Sequence, residues 1–265
     1  MTDRYAVIGH PVSHSKSPWI HAEFARATGQ DIAYARIEAP LDGFAATVRA
    51  FQAAGGRGAN VTLPFKTEAF ALCGGRVSPR AGAAQAVNTL LLGTDAISGD
   101  NTDGVGLVND LARLGFAPSG RRVLLLGAGG AAQGVMLPLL DARPAALIVA
   151  NRTAARAREL ARRFGVVGGG FDELRDEQFD VVVNATSGGL TDEAPPVSAA
   201  VFRPGALAYD MVYGKETPFL AMARRAGMAV ADGSGMLVEQ AAESFFLWRG
   251  VRPDTAPVLA ALRRG

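Results

Sequence analysis

RVLLLGAGGAA, residues 122–132, decides the fold. An apolar run of strand length enters Gly127-Ala128-Gly129-Gly130-Ala131-Ala132, and a helix-like segment follows. This is the G-x-G-x-x-A form of a strand–turn–helix that binds dinucleotides. Its glycines permit a tight turn and a close backbone approach, and the helix N-terminus favours a pyrophosphate. Taken alone, such a turn also serves simply to pack a helix on a strand. The strand before it and the helix after it favour cofactor binding.

The end of the next strand selects the cofactor. An NAD site usually carries an acid there, to bond the ribose 2′-hydroxyl. Here Asn151-Arg152-Thr153 takes that place, with Arg156 four residues beyond Arg152. On one helix the i and i+4 positions share a face, so both guanidiniums would meet a 2′-phosphate. This reading selects NADP(H), although arginine pairs are common in so arginine-rich a chain.

Further strands are expected at 146–150, 180–184, 206–211 and 228–231, with helices between them and at 235–249 and 254–263. Upstream, strand-like segments at 4–9, 33–38, 58–63 and 87–92 alternate with helix-like segments at 17–28, 42–54 and from Pro64. The alternation predicts an α/β fold with a mainly parallel sheet. A helix at 104–115, with Val105, Val108, Leu111 and Ala112 on one stripe, leads to a Gly115/Pro118 boundary.

Composition narrows the function classes. The chain has 265 residues and a net charge of +2, and that length suits one large or two modest domains. Its hydrophobic content of 49% argues against disorder, and the interspersed charges give no basic block for nucleic acid. No apolar run reaches membrane-spanning length, and no secretory leader pattern opens the chain. Cys73 is the single cysteine, which excludes an internal disulfide and suits a reducing cytoplasm.

The 27 basic residues include only three lysines, Lys16, Lys66 and Lys215. Where arginine is the general choice, a retained lysine points to a need for a releasable proton. In GANVTLPFK, residues 58–66, alternation puts Asn60 and Thr62 on one strand face and Val61 and Leu63 on the other. Lys66 then falls in a helix's first turn, where the dipole disfavours a cation and favours proton release. Lys66 is therefore a candidate general acid/base. Asp103, in GDNTDG, is either a cap for the helix that follows or the carboxylate partner of Lys66. Asn101 serves the turn. Ser17-Pro18 reads as an N-cap with proline at the first helical position, whereas Ser15 has no such role and suits a carboxylate ligand. His10, His14 and His21 lack acids at ligand spacing, so no metal is expected.

The motifs GHPVSHSKSPWIH, GANVTLPFK, AVNT, GDNTDG, GAGGAA, NRT, NATSGGL, YDMVYGKETPFL and GSGMLVEQAAESFFLWRG occur in this order almost end to end. The whole set resembles the shikimate dehydrogenases. The resemblance implies reversible NADPH-dependent reduction of 3-dehydroshikimate, in aromatic amino-acid biosynthesis. It implies that Lys66 and Asp103 are the catalytic pair, and that Ser15 and Ser17 take the substrate carboxylate, helped by Tyr213. Asn60, Thr62, Asn88 and Gln240 match positions that bond ring hydroxyls. Gly127, Ala128, Gly129, Gly130 and Ala131 match the phosphate turn. Asn151, Arg152, Thr153 and Arg156 match the NADP selector, and Asn184, Thr186 and Ser187 lie at a strand end toward the cofactor. Two positions depart from the family pattern: Ala22 replaces an Asn, and Gln133 replaces an Arg that follows the glycine turn.

These expectations give a discontinuous substrate domain, 1–103 plus 236–265, around an NADP domain of Rossmann type at 104–235. A C-terminal helix returns to the first domain, with Gly233 and Gly235 as hinge positions. The expected partner is a small-molecule substrate rather than nucleic acid or membrane, and the expected state is monomer or homodimer. Two other readings share these motifs: a dehydrogenase of dual quinate and shikimate specificity, and a non-catalytic NADP-binding sensor.

Overall fold

The computed structural model describes residues 2–174, 177–186 and 193–264. It divides into two compact units, Met1–Gly106 with Val238–Gly265, and Leu107–Leu237. Both divisions fall inside helices, α5 (Asp103–Arg113) and α9 (Ser234–Arg249). Among the described residues no helix is long and apolar enough to cross a membrane.

The first unit runs β1 (Asp3–Gly9), α1 (Ser17–Thr28), β2 (Ile32–Glu38), α2 (Phe44–Ala53), β3 (Gly56–Val61), α3 (Lys66–Leu72), α4 (Pro79–Ala84), β4 (Thr89–Leu92) and β5 (Ile97–Asp100). Its sheet has the order β2-β1-β3-β4-β5. The first three strands are parallel, and β4 and β5 extend the sheet antiparallel. The strand β5 and the helix α4 lie beyond the sequence expectation: ISGD and PRAGAA are too short and too poor in large apolar residues to announce themselves. Cys73 belongs to the core here, against β5. A Cβ on Gly99 would come within 2.7 Å of its Sγ, and burial pushes the thiol up to about 11, so it packs as a small apolar group.

The helix expected from Pro64 starts at Lys66. The strand before it ends at Val61, and Leu63 and Pro64 form a turn through a cis bond. The alternation therefore fails past Val61: Leu63, placed on the apolar face by counting, is 67% exposed. The returning helix α9 docks through Ala241, Ala242 and Phe245, all fully buried. Gly58 leaves room for Trp248, whose indole N–H donates to the Leu90 carbonyl at 3.0 Å. The last helix is α10 (Ala256–Leu262).

The second unit runs β6 (Arg122–Leu126), α6 (Gly130–Asp141), β7 (Ala146–Ala150), α7 (Ala154–Phe164), β8 (Val167–Gly169), β9 (Phe179–Asn184), β10 (Phe202–Asp210), α8 (Pro218–Arg225) and β11 (Ala229–Ala231). The sheet order is β11-β10-β9-β6-β7-β8, with every pairing parallel. This is the doubly wound order with its reversal at β6, where such sheets bind ligands. The strand β8 reads Val-Gly-Gly, and a Cβ on Gly168 would meet the Ala157 carbonyl at 2.5 Å. The close approach of α7 selects glycine and hides the strand from propensity.

The helix α5 buries Leu107, Asp110 and Leu111, with Ala112 exposed. Its inward stripe is thus turned from the expected one, because Asp110 is paired inside rather than solvated. The Tyr209 hydroxyl donates to Asp110 at 2.8 Å and Arg113 pairs with it at 2.6 Å. Burial beside that carboxylate pushes the Tyr209 hydroxyl well above its usual range, so it stays a donor. It also accepts the Met236 N–H at 3.2 Å. Gly233 and Gly235 are both closely packed. A Cβ would fall 2.3 Å from the Met211 carbonyl oxygen at Gly233, and 2.0 Å from the Asp110 carboxylate at Gly235. Gly235→Ala is expected to destabilise the protein by about 2–5 kcal/mol, through overpacking and disruption of the Asp110–Tyr209 bond. Denaturant titration measures this, and an unchanged midpoint would refute the contact.

Candidate active site

The first unit gathers polar side chains where a core needs none. Lys66, the first residue of α3, donates from Nζ to Asp103 Oδ2 at 2.6 Å, and the Lys66 and Asp103 side chains are 31% and 14% exposed. Asn88 donates from Nδ2 to Asp103 Oδ1 at 2.7 Å. The carboxylate is thus held on both oxygens, while the lysine end stays open to solvent. The capping alternative for Asp103 resolves in the neighbouring residue: Asn101 Oδ1 accepts the Asp103 N–H at 3.1 Å, and its amide donates to the Ala86 carbonyl. Asn101 caps the turn and leaves Asp103 for Lys66.

Behind the pair lies a buried network. Asn88 Oδ1 accepts from the Thr102 N–H and the Thr89 hydroxyl, both at 2.9 Å. The Ser244 hydroxyl lies 2.8 Å from that of Thr89. Asn60 donates to Ser244 Oγ at 3.0 Å and accepts the Tyr34 hydroxyl at 2.7 Å. Every member is satisfied, the condition under which a buried polar cluster rigidifies rather than destabilises. Asn60 and Asn88 are 6% and 2% exposed, and their amides are spent on protein partners. Thr62, by contrast, is half-buried and its hydroxyl has no partner among the described residues, while its methyl is held against Gly9. Gln240 lies one helical turn before Ser244 and its Oε1 is 3.4 Å from Thr102 Oγ1.

Sequence reading missed Tyr34, Thr89, Thr102 and Ser244. The signal present for Ser244 was its i+4 spacing from Gln240. Nothing marked Tyr34, which is brought to Asn60 only by the β2-β1-β3 register.

Ser15 and Ser17 lie together at the start of α1. The helix begins at Ser17 itself, with Lys16 before it, so Ser17 is not the N-cap. Ser15 Oγ accepts the Ser17 N–H at 3.3 Å and lies 3.2 Å from Ser17 Oγ. No acid occupies the first turn of this helix, where the dipole favours an anion. The histidines disperse. His10 Nδ1 faces the Ala39 carbonyl at 3.1 Å and His14 is exposed. His21 is fully buried, stacked on Tyr34 with centroids 4.4 Å apart, and burial pushes it down to about 3. It is a neutral member of an aromatic cluster, unsuited to proton transfer near neutral pH.

In the second unit the glycine turn follows β6. Gly127 has φ +110°, and a Cβ there would meet the Ala185 backbone at 3.0 Å. Exposed Gly129, Gly130 and Ala131 follow half-buried Ala128, and added Cβ atoms at the two glycines would meet nothing within 4 Å. The turn thus leaves backbone N–H groups approachable at the N-terminus of a twelve-residue helix, which fits a pyrophosphate. Asn151 donates to the Thr153 carbonyl at 3.0 Å. Arg152 precedes α7 and Arg156 lies in its first turn, so the two flank the helix start rather than share a helix face. Neither guanidinium has a partner among the described residues, although Arg158 and Arg162 of the same segment pair with Glu173 and Glu159. Two uncompensated cations at a helix N-terminus suit a phosphate.

Thr186 donates to Asn184 Oδ1 at 2.7 Å, and Asn184 donates to Asp210 at 2.9 Å. Ser187 lies outside the described residues. Tyr213 is 39% exposed, with no hydroxyl partner among them. Of the departures, Ala22 is exposed and Gln133 accepts from Arg163 at 3.4 Å.

Residues 7–90 match the shikimate dehydrogenase substrate binding domain, residues 110–191 the shikimate/quinate 5-dehydrogenase family, and residues 233–263 the shikimate 5'-dehydrogenase C-terminal domain. A shikimate dehydrogenase (NADP(+)) of Methylobacillus flagellatus is 59% identical, over 98% of this chain and 99% of its own length. Among solved structures, an Ael1 enzyme from Pseudomonas putida is 49% identical over 98% of each chain, with a TM-score of 0.94. Shikimate 5-dehydrogenase from Thermus thermophilus, solved with NADP(H) and shikimate, is 37% identical over 99% of each chain, with a TM-score of 0.90. The chain belongs to the shikimate dehydrogenase family.

Proposed function

We propose that this chain reversibly reduces 3-dehydroshikimate to shikimate with NADPH, in aromatic amino-acid biosynthesis in the cytoplasm, as a monomer or homodimer. The observation that carries this reading is the Lys66–Asp103 pair, held by Asn88 and left open at the lysine end. The first unit is the substrate domain and the second the NADP domain, with the glycine turn, Asn151, Arg152, Thr153, Arg156, Thr186 and Ser187 as cofactor residues.

Bound NADPH supplies the hydride to the substrate carbonyl. Lys66 Nζ gives a proton to the oxygen that becomes the alcohol, and takes it back in the reverse direction. Asp103 holds the ammonium by a charged hydrogen bond and keeps its direction fixed. Ser15 and Ser17 take the carboxylate, with Tyr213. Thr62 and Gln240 bond ring hydroxyls. Asn60 and Asn88 reach a ring hydroxyl only by exchanging one of their internal bonds, so their contribution is chiefly to hold the others.

The test is NADP reduction with shikimate, with quinate and without substrate. We expect turnover with shikimate well above that with quinate. Equal rates would establish dual specificity. NADPH binding without turnover on either acid would establish a sensor.

A further inference from the structure

Arg36 lies on β2, the edge strand of the first unit's sheet, two residues past Tyr34 and therefore on the same face. The tyrosine reaches Asn60. The arginine reaches the serine loop, donating from Nε at 3.0 Å and from a terminal nitrogen at 2.6 Å to the Ser15 carbonyl. Two N–H groups of one planar fork thus close on a single oxygen. No ion pair to this guanidinium occurs among the described residues, in a chain where many exposed arginines pair with an acid.

Ser15 carries three functions in a short space. Its carbonyl is gripped by Arg36, its hydroxyl accepts the first N–H of α1, and the same hydroxyl lies against Ser17 Oγ. Fixing the carbonyl therefore fixes where both hydroxyls stand. The full positive charge brought to this loop is compensated neither by an acid on Arg36 nor by one in the first turn of α1. Lys16 adds a second exposed cation between the serines.

We propose that Arg36 is a positioning residue for acid recognition. It sets the Ser15/Ser17 hydroxyls for a carboxylate, and its uncompensated charge favours the anionic substrate over a neutral one. This rests on the reading that these serines take the substrate carboxylate.

The experiment measures kcat and KM for shikimate and for its uncharged carboxamide at several ionic strengths, in Arg36→Met, Arg36→Lys and Ser15→Ala/Ser17→Ala. Arg4→Met is the control: Arg4, on β1 of the same sheet, also donates to a backbone carbonyl, that of Ala54 at 2.7 Å. Arg36→Met is expected to raise the KM for shikimate about tenfold or more, with kcat within about twofold. It should penalise the carboxamide less and flatten the salt dependence of kcat/KM. Arg36→Lys keeps the charge without the fork, so it should retain salt dependence while KM stays raised. An unchanged KM, equal losses for acid and amide, or the same change in Arg4→Met would overturn the assignment. If the serine variant leaves KM for shikimate unchanged, the carboxylate reading itself fails. If that variant raises KM and Arg36→Met does not, only the role of Arg36 fails.

Discussion

Lys66→Ala is expected to lower turnover by about 10²–10⁴-fold while NADPH affinity stays near its parent value. The size follows from what is removed. Hydride addition to a carbonyl builds negative charge on oxygen, and the ammonium both neutralises that charge and delivers the proton. Among the described residues the neighbouring groups are poor substitutes: the hydroxyls of Thr89, Thr102 and Ser244 are buried and hydrogen-bonded to one another, the free hydroxyl of Thr62 is a far weaker acid than an ammonium, and His21 is fully buried and neutral. Lys66→Arg sharpens the test, because guanidinium retains the charge and cannot release a proton at working pH. It should therefore recover little of the lost rate. Asp103→Asn should also lower kcat, since it keeps the shape of the pair and removes the charge that holds the ammonium. Steady-state kinetics with both substrates varied separates these effects. Near-normal turnover in Lys66→Ala would remove the residue from the chemistry, and rescue by arginine would reduce its role to electrostatics.

The lysine itself was legible in the sequence, and its surroundings only in part. Scarcity of lysine and a place in a helix's first turn marked Lys66, and both are local properties of the chain. The partner of Asp103 was not local. A carboxylate one residue before Gly104 reads equally as a cap, and only the geometry of Asn101, which takes over the capping, assigns it to Lys66. Asn60, Thr89, Ser244 and Tyr34 meet through sheet register and through a helix that returns from 184 residues away, which no window of sequence contains. The second sheet was easier to read because its strands are buried on both faces and appear as continuous apolar runs. Its exception, β8, is built of glycines that the packing of α7 demands. The stripe on α5 was misread for the opposite reason. The expected stripe of Val105, Val108, Leu111 and Ala112 leaves out Asp110, which is buried because Tyr209 and Arg113 satisfy it.

Arg152→Ala combined with Arg156→Ala is expected to weaken NADPH by about 10–100-fold and NADH by little, which inverts or abolishes the preference between them. Local charge compensation, rather than the number of arginines, sets these two apart. Arg158 and Arg162 lie two and six residues past Arg156 on α7 and are bound to acids, so their charge is already compensated. Arg152 and Arg156 stand at the start of the helix, where the dipole is unfavourable to cations and no acid occupies the first turn. Two cations held there without partners among the described residues gain most from a dianionic phosphate, and a ribose hydroxyl gives them almost nothing. Because both side chains are exposed, the effect should fall as salt rises. Titration calorimetry with the two nucleotides at low and moderate ionic strength measures it. Arg158→Ala serves as the comparison, since removing an arginine already paired with Glu173 should change neither affinity appreciably. Equal losses of NADPH and NADH in the double variant would show that these guanidiniums hold the turn rather than read the phosphate.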